Sequence, residues 1–282
     1  MKFFIVNVFA KEKYSGNPLA VYLCEGGMQY EEMHQIAYEM HFSESVFITV
    51  PKNVGGGFDV RIFTPDTEVP FAGHPLLGAA YVISQIYEER EISIHLIGGN
   101  TIPIIVIDNI ATMNLSSYSL GKTFSRRMAA NLLSVKEEDI DDDYPIQVMS
   151  AGLPSLAIPL TNINALKMCK VNADEFTRYI NENGKANLYP FLKYKGSIRA
   201  RCFMDDSGFL EDPATGSASA ALAGYILRYG YLGSHEQTSY TVIQGQEMMR
   251  ESRIEINAKN ANNNTLISVS GAVTSIANGE WL

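Results

Sequence analysis

The sequence predicts an α/β protein, of the α+β kind, made of two similar halves that each wrap strands round a buried helix. Three observations carry this reading. Short strand-like runs punctuated by Gly and Pro dominate the first half. The stretch Pro75 to Tyr87 is apolar almost all round, the pattern of a helix enclosed on every side. One Gly/Pro turn and one helix start recur later in the chain, in the same order.

Taken in order, strand signals open the chain at Phe3 to Phe9 and Leu19 to Leu23, with Gly16-Asn17-Pro18 turning between them. Residues 29–40 suit an amphipathic helix, since Met33, Ile36, Ala37 and Met40 fall at i, i+3, i+4 and i+7. Strands return at Ser45 to Val50 and Phe58 to Phe63. After the buried helix, short strands are expected near 92–97, 101–107 and 110–115.

The repeat can be read residue by residue. Ser15 to Leu23 is echoed by Ala151 to Leu160, and Phe63, a polar loop and Ala72-Gly73-His74 are echoed by Phe203, another loop and Thr215-Gly216-Ser217. Both matches run at similar offsets, roughly 136–143 positions, about one domain length. A period this long marks a duplicated domain, not a solenoid. The expected halves are residues 1–118 and 119–282, with a polar junction from Ser116 to Lys122 and the last ~10 residues free to pack back on the first half.

Composition excludes several classes of function. The net charge of −9, with no Lys/Arg stripe, argues against nucleic-acid binding. The acidic run Lys136 to Asp143 reads as a solvated helix start and loop. The apolar opening is too short for a signal peptide and no stretch is long enough for a membrane span. Cys24, Cys169 and Cys202 are odd in number and lack metal-ligand spacing, so reduced thiols and no metal site are expected. A cytoplasmic location follows by elimination.

Three segments hold the groups able to do chemistry. Glu44, in His41-Phe42-Ser43-Glu44-Ser45-Val46-Phe47, sits where a helix gives way to a strand. It reads either as a helix-end or surface residue or, if it points inward, as a carboxylate desolvated by Phe42, Val46 and Phe47. In that second case its pKa would move toward the range useful for passing a proton. Gly73-His74-Pro75 opens the apolar helix, placing free backbone N–H groups and an imidazole at a positive helix end. His74 also reads as a plain capping residue.

The third segment, Glu211-Asp212-Pro213-Ala214-Thr215-Gly216-Ser217-Ala218, is again a helix start, with Asp212 as a candidate N-cap and Gly216 as a candidate for tight packing. It lacks the Gly-Lys-Ser/Thr of a phosphate loop. If the two helix starts faced each other across a cleft, their dipoles would converge on one anion, most simply a substrate carboxylate. Glu44, His74 and Asp212 would then supply acid/base equipment with no evident nucleophile.

These residues resemble the PhzF family of phenazine-biosynthesis isomerases. The matching segments are Gly16 to Val21, Ser43 to Phe47, Phe63-Thr64-Pro65 through Glu68 to Pro75, Glu211 to Ala218, and Gln244-Gly245 with Arg250 and Ser252. The resemblance spans nearly the whole chain. It implies a diaminopimelate-epimerase-like fold, with a mixed sheet or barrel round each central helix, usually in a homodimer. It also implies a cofactor-free isomerase, acting in the best-known branch on a dihydro-hydroxyanthranilate.

By the same resemblance Glu44 moves a proton between two ring carbons, His74, Asp212 and Ser217 line the pocket, and Gly73 lies beside them. Thr215 and Gly216 join the expected substrate-binding residues. The chain departs from the family at Asn7, His41, Leu76 and Met249, where Asp, Asn, Thr and Gly are common. Ala72 and Thr215 stand where epimerases of this fold carry catalytic cysteines, which disfavours two-thiol epimerisation. The expected activity is proton transfer on a small carboxylate by Glu44. A racemase of an amino-acid-like substrate and a non-catalytic small-molecule binding protein are the alternatives.

Overall fold

The computed structural model describes residues 1–50, 52, 56–115, 117–206, 209–261 and 264–282, excluding the side chains of Asp206 and Phe209. Ser116, where the expected junction begins, lies outside the described residues. Tertiary contacts divide the chain into two compact units. The first comprises Met1–Asn114, Arg250–Arg253 and Val269–Leu282, and the second Leu115–Met249 and Ile254–Ser268.

The first unit carries β1 (Lys2–Val8), β2 (Asn17–Glu25), α1 (Tyr30–Met40), β3 (Ser45–Val50), β4 (Phe58–Phe63), β5 (Glu68–Val69), α2 (Gly73–Tyr87), β6 (Glu91–Leu96), β7 (Thr101–Ile107) and β8 (Ile110–Leu115). The second carries β9 (Ser119–Phe124), α3 (Arg126–Leu133), β10 (Ile146–Ser150), β11 (Pro154–Pro159), α4 (Ile163–Met168), α5 (Ala173–Asn183) and β12 (Asn187–Tyr194). It continues with β13 (Ser197–Ala200), β14 (Cys202–Asp206), β15 (Phe209–Asp212), α6 (Gly216–Tyr229), β16 (Gln237–Gln244) and β17 (Ser252–Ala261), whose first two residues belong to the first unit. The last strand, β18 (Asn264–Glu280), contributes to both.

In the first unit the strand pairings form a ring of eight: β1, β2, β3, β4, β6, β7, β8 and β18, which pairs with both β8 and β1. The barrel is therefore closed, and closure leaves none of these strands as a sheet edge. Helix α2 touches β1, β2, β3, β6 and β7. Its residues from Gly73 to Ala80 are all buried, as are Val82, Ile83 and Ser84, so an all-round apolar sequence becomes the core of the barrel. Gly78 permits the close approach, since a Cβ there would lie 2.4 Å from Leu19 Cδ2.

The second unit repeats the order of pairing. From β1 the first unit runs antiparallel, parallel, antiparallel, parallel through β2, β3, β4 and β6, and from β10 the second does the same through β11, β12, β13 and β16. Helix α6, buried from Gly216 to Leu227, takes the place of α2. The sequence repeat thus falls on β2 and β11, and on the starts of α2 and α6. Helices α4 and α5 stand together where the first unit has only α1, and α3 precedes β10 with no counterpart. Both helix starts lie earlier than the apolar patterns, at Gly73 and Gly216 instead of Pro75 and Ala218, because polar and small residues complete their first turns. Among the described residues no helix is long and apolar enough to cross a membrane.

Candidate functional site

In the first unit, Glu44 occupies the turn between α1 and β3, and His74 the first turn of α2. The two meet: His74 Nε2 lies 3.7 Å from Glu44 Oε2. The imidazole is 5% exposed and that carboxylate oxygen is buried. Glu44 is therefore the inward carboxylate of the two readings. Its apolar neighbours divide, however. Phe42 and Phe47 pack with Tyr22, Met33 and Phe63 under α1, whereas Val46 lies outside that cluster, buried within β3.

His74 does not cap α2. The N-cap is Ala72, which has no side chain able to accept from the first-turn N–H groups. Gly73 and His74 follow as its first two helical residues. On the other face of the ring, Nδ1 lies 3.4 Å from Nδ2 of Asn17, the buried first residue of β2. In the sequence Asn17 reads only as part of a turn, and nothing in the spacing connects it with His74, since that contact is made by barrel closure round α2. Arg250 secures the same turn, its Nε donating to the Gly16 carbonyl at 2.8 Å. Leu76, at the departure from the family pattern, is fully buried within α2.

In the second unit, Asp212 ends β15, and its Oδ2 accepts from the Thr215 hydroxyl at 2.5 Å. The N-cap of α6 is Thr215, not Asp212, and the Thr215 side chain makes no bond to the helix. Gln244, wholly buried at the end of β16, pins this loop. Its Nε2 donates to the Asp212 carbonyl at 2.7 Å and to Thr215 Oγ1 at 3.0 Å, and its Oε1 accepts from Thr215 N at 3.3 Å. Gly216 and Ser217 follow as the first, buried residues of α6. Both candidate helices therefore begin without a side-chain cap, which leaves their N–H groups directed at whatever occupies the space ahead of them.

The three thiols are free and buried. Burial pushes Cys24 up to about 11 and Cys169 up to about 12, and it raises Cys202 as well. None is a thiolate at neutral pH. Among the described residues no cluster of three or more His, Cys, Asp and Glu has the placement to hold a metal ion.

The first unit is thus a closed barrel round α2, the second repeats its order of pairing with α6 in the same place, and a partly buried carboxylate meets an imidazole at the start of α2. The family model for phenazine biosynthesis-like protein (PhzC-PhzF) matches residues 6–279, so the chain belongs to the PhzF family. It is 31% identical to an uncharacterised isomerase of Pasteurella multocida, over 98% of this chain and 92% of that one. It is 30% identical to the trans-2,3-dihydro-3-hydroxyanthranilate isomerase of Pseudomonas fluorescens, over 95% and 94%. The structure of a Bacillus anthracis PhzF-family protein superposes with a TM-score of 0.90 at 24% identity, covering 100% and 99% of the two chains. The chain is thus a PhzF-family isomerase.

Proposed function

We propose that this isomerase moves a proton between two carbons of a small, carboxylate-bearing substrate without a cofactor, and that Glu44 carries the proton. The observation that supports this most directly is the approach of the buried His74 imidazole to a buried oxygen of Glu44, at 3.7 Å. Glu44 removes a proton from a carbon made acidic by an adjacent conjugated or carbonyl-like group, then returns it elsewhere on the same molecule. In the first unit His74 and Gly73 meet the substrate beside Glu44, and the family resemblance carries the binding roles proposed for Asp212, Thr215, Gly216 and Ser217 in the second unit. Racemisation by two facing thiols is disfavoured, because Ala72 and Thr215 occupy the helix N-caps and the cysteines are buried elsewhere.

The P. fluorescens relative makes trans-2,3-dihydro-3-hydroxyanthranilate the first compound to assay, followed by related cyclic and amino-acid-like carboxylates. General acid/base catalysis by one positioned group is worth about 10²–10⁴-fold, so Glu44→Gln is expected to lose most turnover while keeping its fold. Near-normal turnover by Glu44→Gln would sink the assignment. In D₂O, deuterium appearing at a new carbon supports isomerisation. Inversion at one labelled carbon means a racemase, and binding without exchange means a binding protein. The active species is proposed to be a cytoplasmic homodimer, which light scattering of the purified protein tests for assembly.

A further inference from the structure

The contact between Asn17 and His74 bears on the state of the imidazole. Asn17 is 1% exposed, and its backbone is held from several sides. Gly16 before it takes φ +73, where a Cβ would lie 2.4 Å from the Val8 carbonyl oxygen. Gly16 N donates to the Glu251 carbonyl at 3.2 Å, and the Arg250 guanidinium bonds the carbonyls of Gly16 at 2.8 Å and Ser15 at 3.3 Å. Asn17 itself pairs with Val8 across the β1–β2 ladder. A side chain only one carbon longer than alanine, on a backbone so fixed, has little freedom in where it directs its amide.

Asn17 Nδ2 lies 3.4 Å from Nδ1 of His74. A ring nitrogen that accepts from an N–H carries no proton, so in a neutral imidazole the proton must sit on the other nitrogen. The other nitrogen faces Glu44. A positive helix end also disfavours a second positive charge on a first-turn ring.

We propose that Asn17 is a positioning residue that holds His74 as the neutral tautomer with its proton on Nε2, directed at Glu44. In that state the nitrogen of His74 that faces the carboxylate, 3.7 Å away, already carries a proton and cannot accept another, which leaves Glu44 as the proton acceptor of the two. This functional consequence rests on the reading of Glu44 given above, but the tautomer is measurable with no substrate at all.

The test is a long-range proton–nitrogen correlation spectrum of the full chain labelled with ¹⁵N-histidine, at neutral pH. The His74 signals are identified by their loss in His74→Gln. Wild type is expected to show an unprotonated Nδ1 and a protonated Nε2. Asn17→Asp, an isosteric change, presents an acceptor where the amide donated, so it should draw a proton onto Nδ1 and reverse the nitrogen pattern or give the imidazolium. Asn17→Ala should give a mixture of tautomers. A wild-type His74 protonated on Nδ1 overturns the proposal whether or not the variants fold. So does an unchanged tautomer in folded Asn17→Asp. If the tautomer is as expected but Glu44→Gln keeps its turnover, the catalytic reading fails and the assignment of Asn17 stands.

Discussion

Arg201 grips Glu211 at two points, Nε to Oε1 and Nη2 to Oε2, both at 2.8 Å. Arg61 and Glu68 make the same fork at 2.7 Å in the first unit. In each case the guanidinium lies over the phenylalanine two residues on, Phe203 at 4.6 Å and Phe63 at 5.3 Å to the ring centroid. The duplication therefore extends to a clamp that ties down the hairpin ahead of each central helix.

The two clamps should differ in strength because they differ in burial. The Arg201 side chain is 9% exposed, and its Nη1 also bonds the carbonyls of Leu166, Lys167 and Cys169. Arg201→Met strands a buried carboxylate and three carbonyls, and should cost about 3–5 kcal/mol. Arg61, 27% exposed, should cost about 1 kcal/mol or less as Arg61→Met. Urea unfolding of both variants checks this, and equal losses would contradict the dependence on burial.

Gln244 offers a test of the second helix start. Gln244→Glu is nearly isosteric but removes the donor that serves the Asp212 carbonyl and Thr215 Oγ1. A destabilisation of about 1–3 kcal/mol is expected, the cost of buried groups left without partners. Gln244→Leu should be no better, since Thr215 N loses its acceptor too. Stability within experimental error of wild type would show the loop to be held by something else.

Two departures from the family pattern turn out to share one physical setting. His41 has φ +53 and Met249 φ +57, both in the left-handed region where Asn and Gly are at home. Met249 is also 91% exposed, so its side chain gains little from packing. Met249→Gly and His41→Asn should each raise stability, by about 0.5–1 kcal/mol, read as an upward shift of the thermal midpoint.

Alkaline pH should weaken the fold through its buried acids. Burial pushes Cys24 up to about 11 and Cys169 up to about 12, from 9.0 when exposed. Tyr179 and Tyr231 are likewise pushed up to about 12, from 10.0. Above about pH 9 the unfolded chain ionises these thiols while the native one does not, so unfolding releases protons and stability falls as pH rises. The contribution is complete below about pH 9 and is lost progressively toward about pH 11–12. Urea unfolding across that range should show the decline. In native protein at neutral pH the same thiols should resist alkylating reagents, and rapid labelling of all three would contradict their burial.

Much of this was legible in the sequence, for reasons that show where legibility ends. Gly16-Asn17-Pro18, the apolar run after Pro75 and the Glu-Asp-Pro-Ala-Thr-Gly-Ser-Ala block are local signals of turn, buried helix and helix start. Strand limits follow from a short apolar run at Ser45–Val50 and from local alternation at Phe58–Phe63. What the residues do not reveal locally is pairing at a distance. Asn17 with His74 and Gln244 with Asp212 are brought together only by the packing of strands remote in the chain, and Arg201 with Glu211 only by the register of a hairpin. Helices α4 and α5 escaped the duplication argument because they fill a connection that differs between the two halves.

The ring of strands in the first unit is completed by the last strand in the chain: Lys2 pairs with Glu280 and Val8 with Val273. During synthesis the ribosome delivers β1 to β8 first, yet that barrel stays one strand short until β18 follows the strands of the second unit. Its enclosed helix, apolar on all sides, must wait beside an open seam while the second unit is made. Contacts so remote along the chain are slow to form, and exposed seams of this kind are where nascent chains stick to one another. A nascent chain halted before β18 should therefore be the species most dependent on chaperones. Emergence of β18, rather than completion of the first unit's contiguous residues, would set the moment at which the first unit becomes resistant to protease.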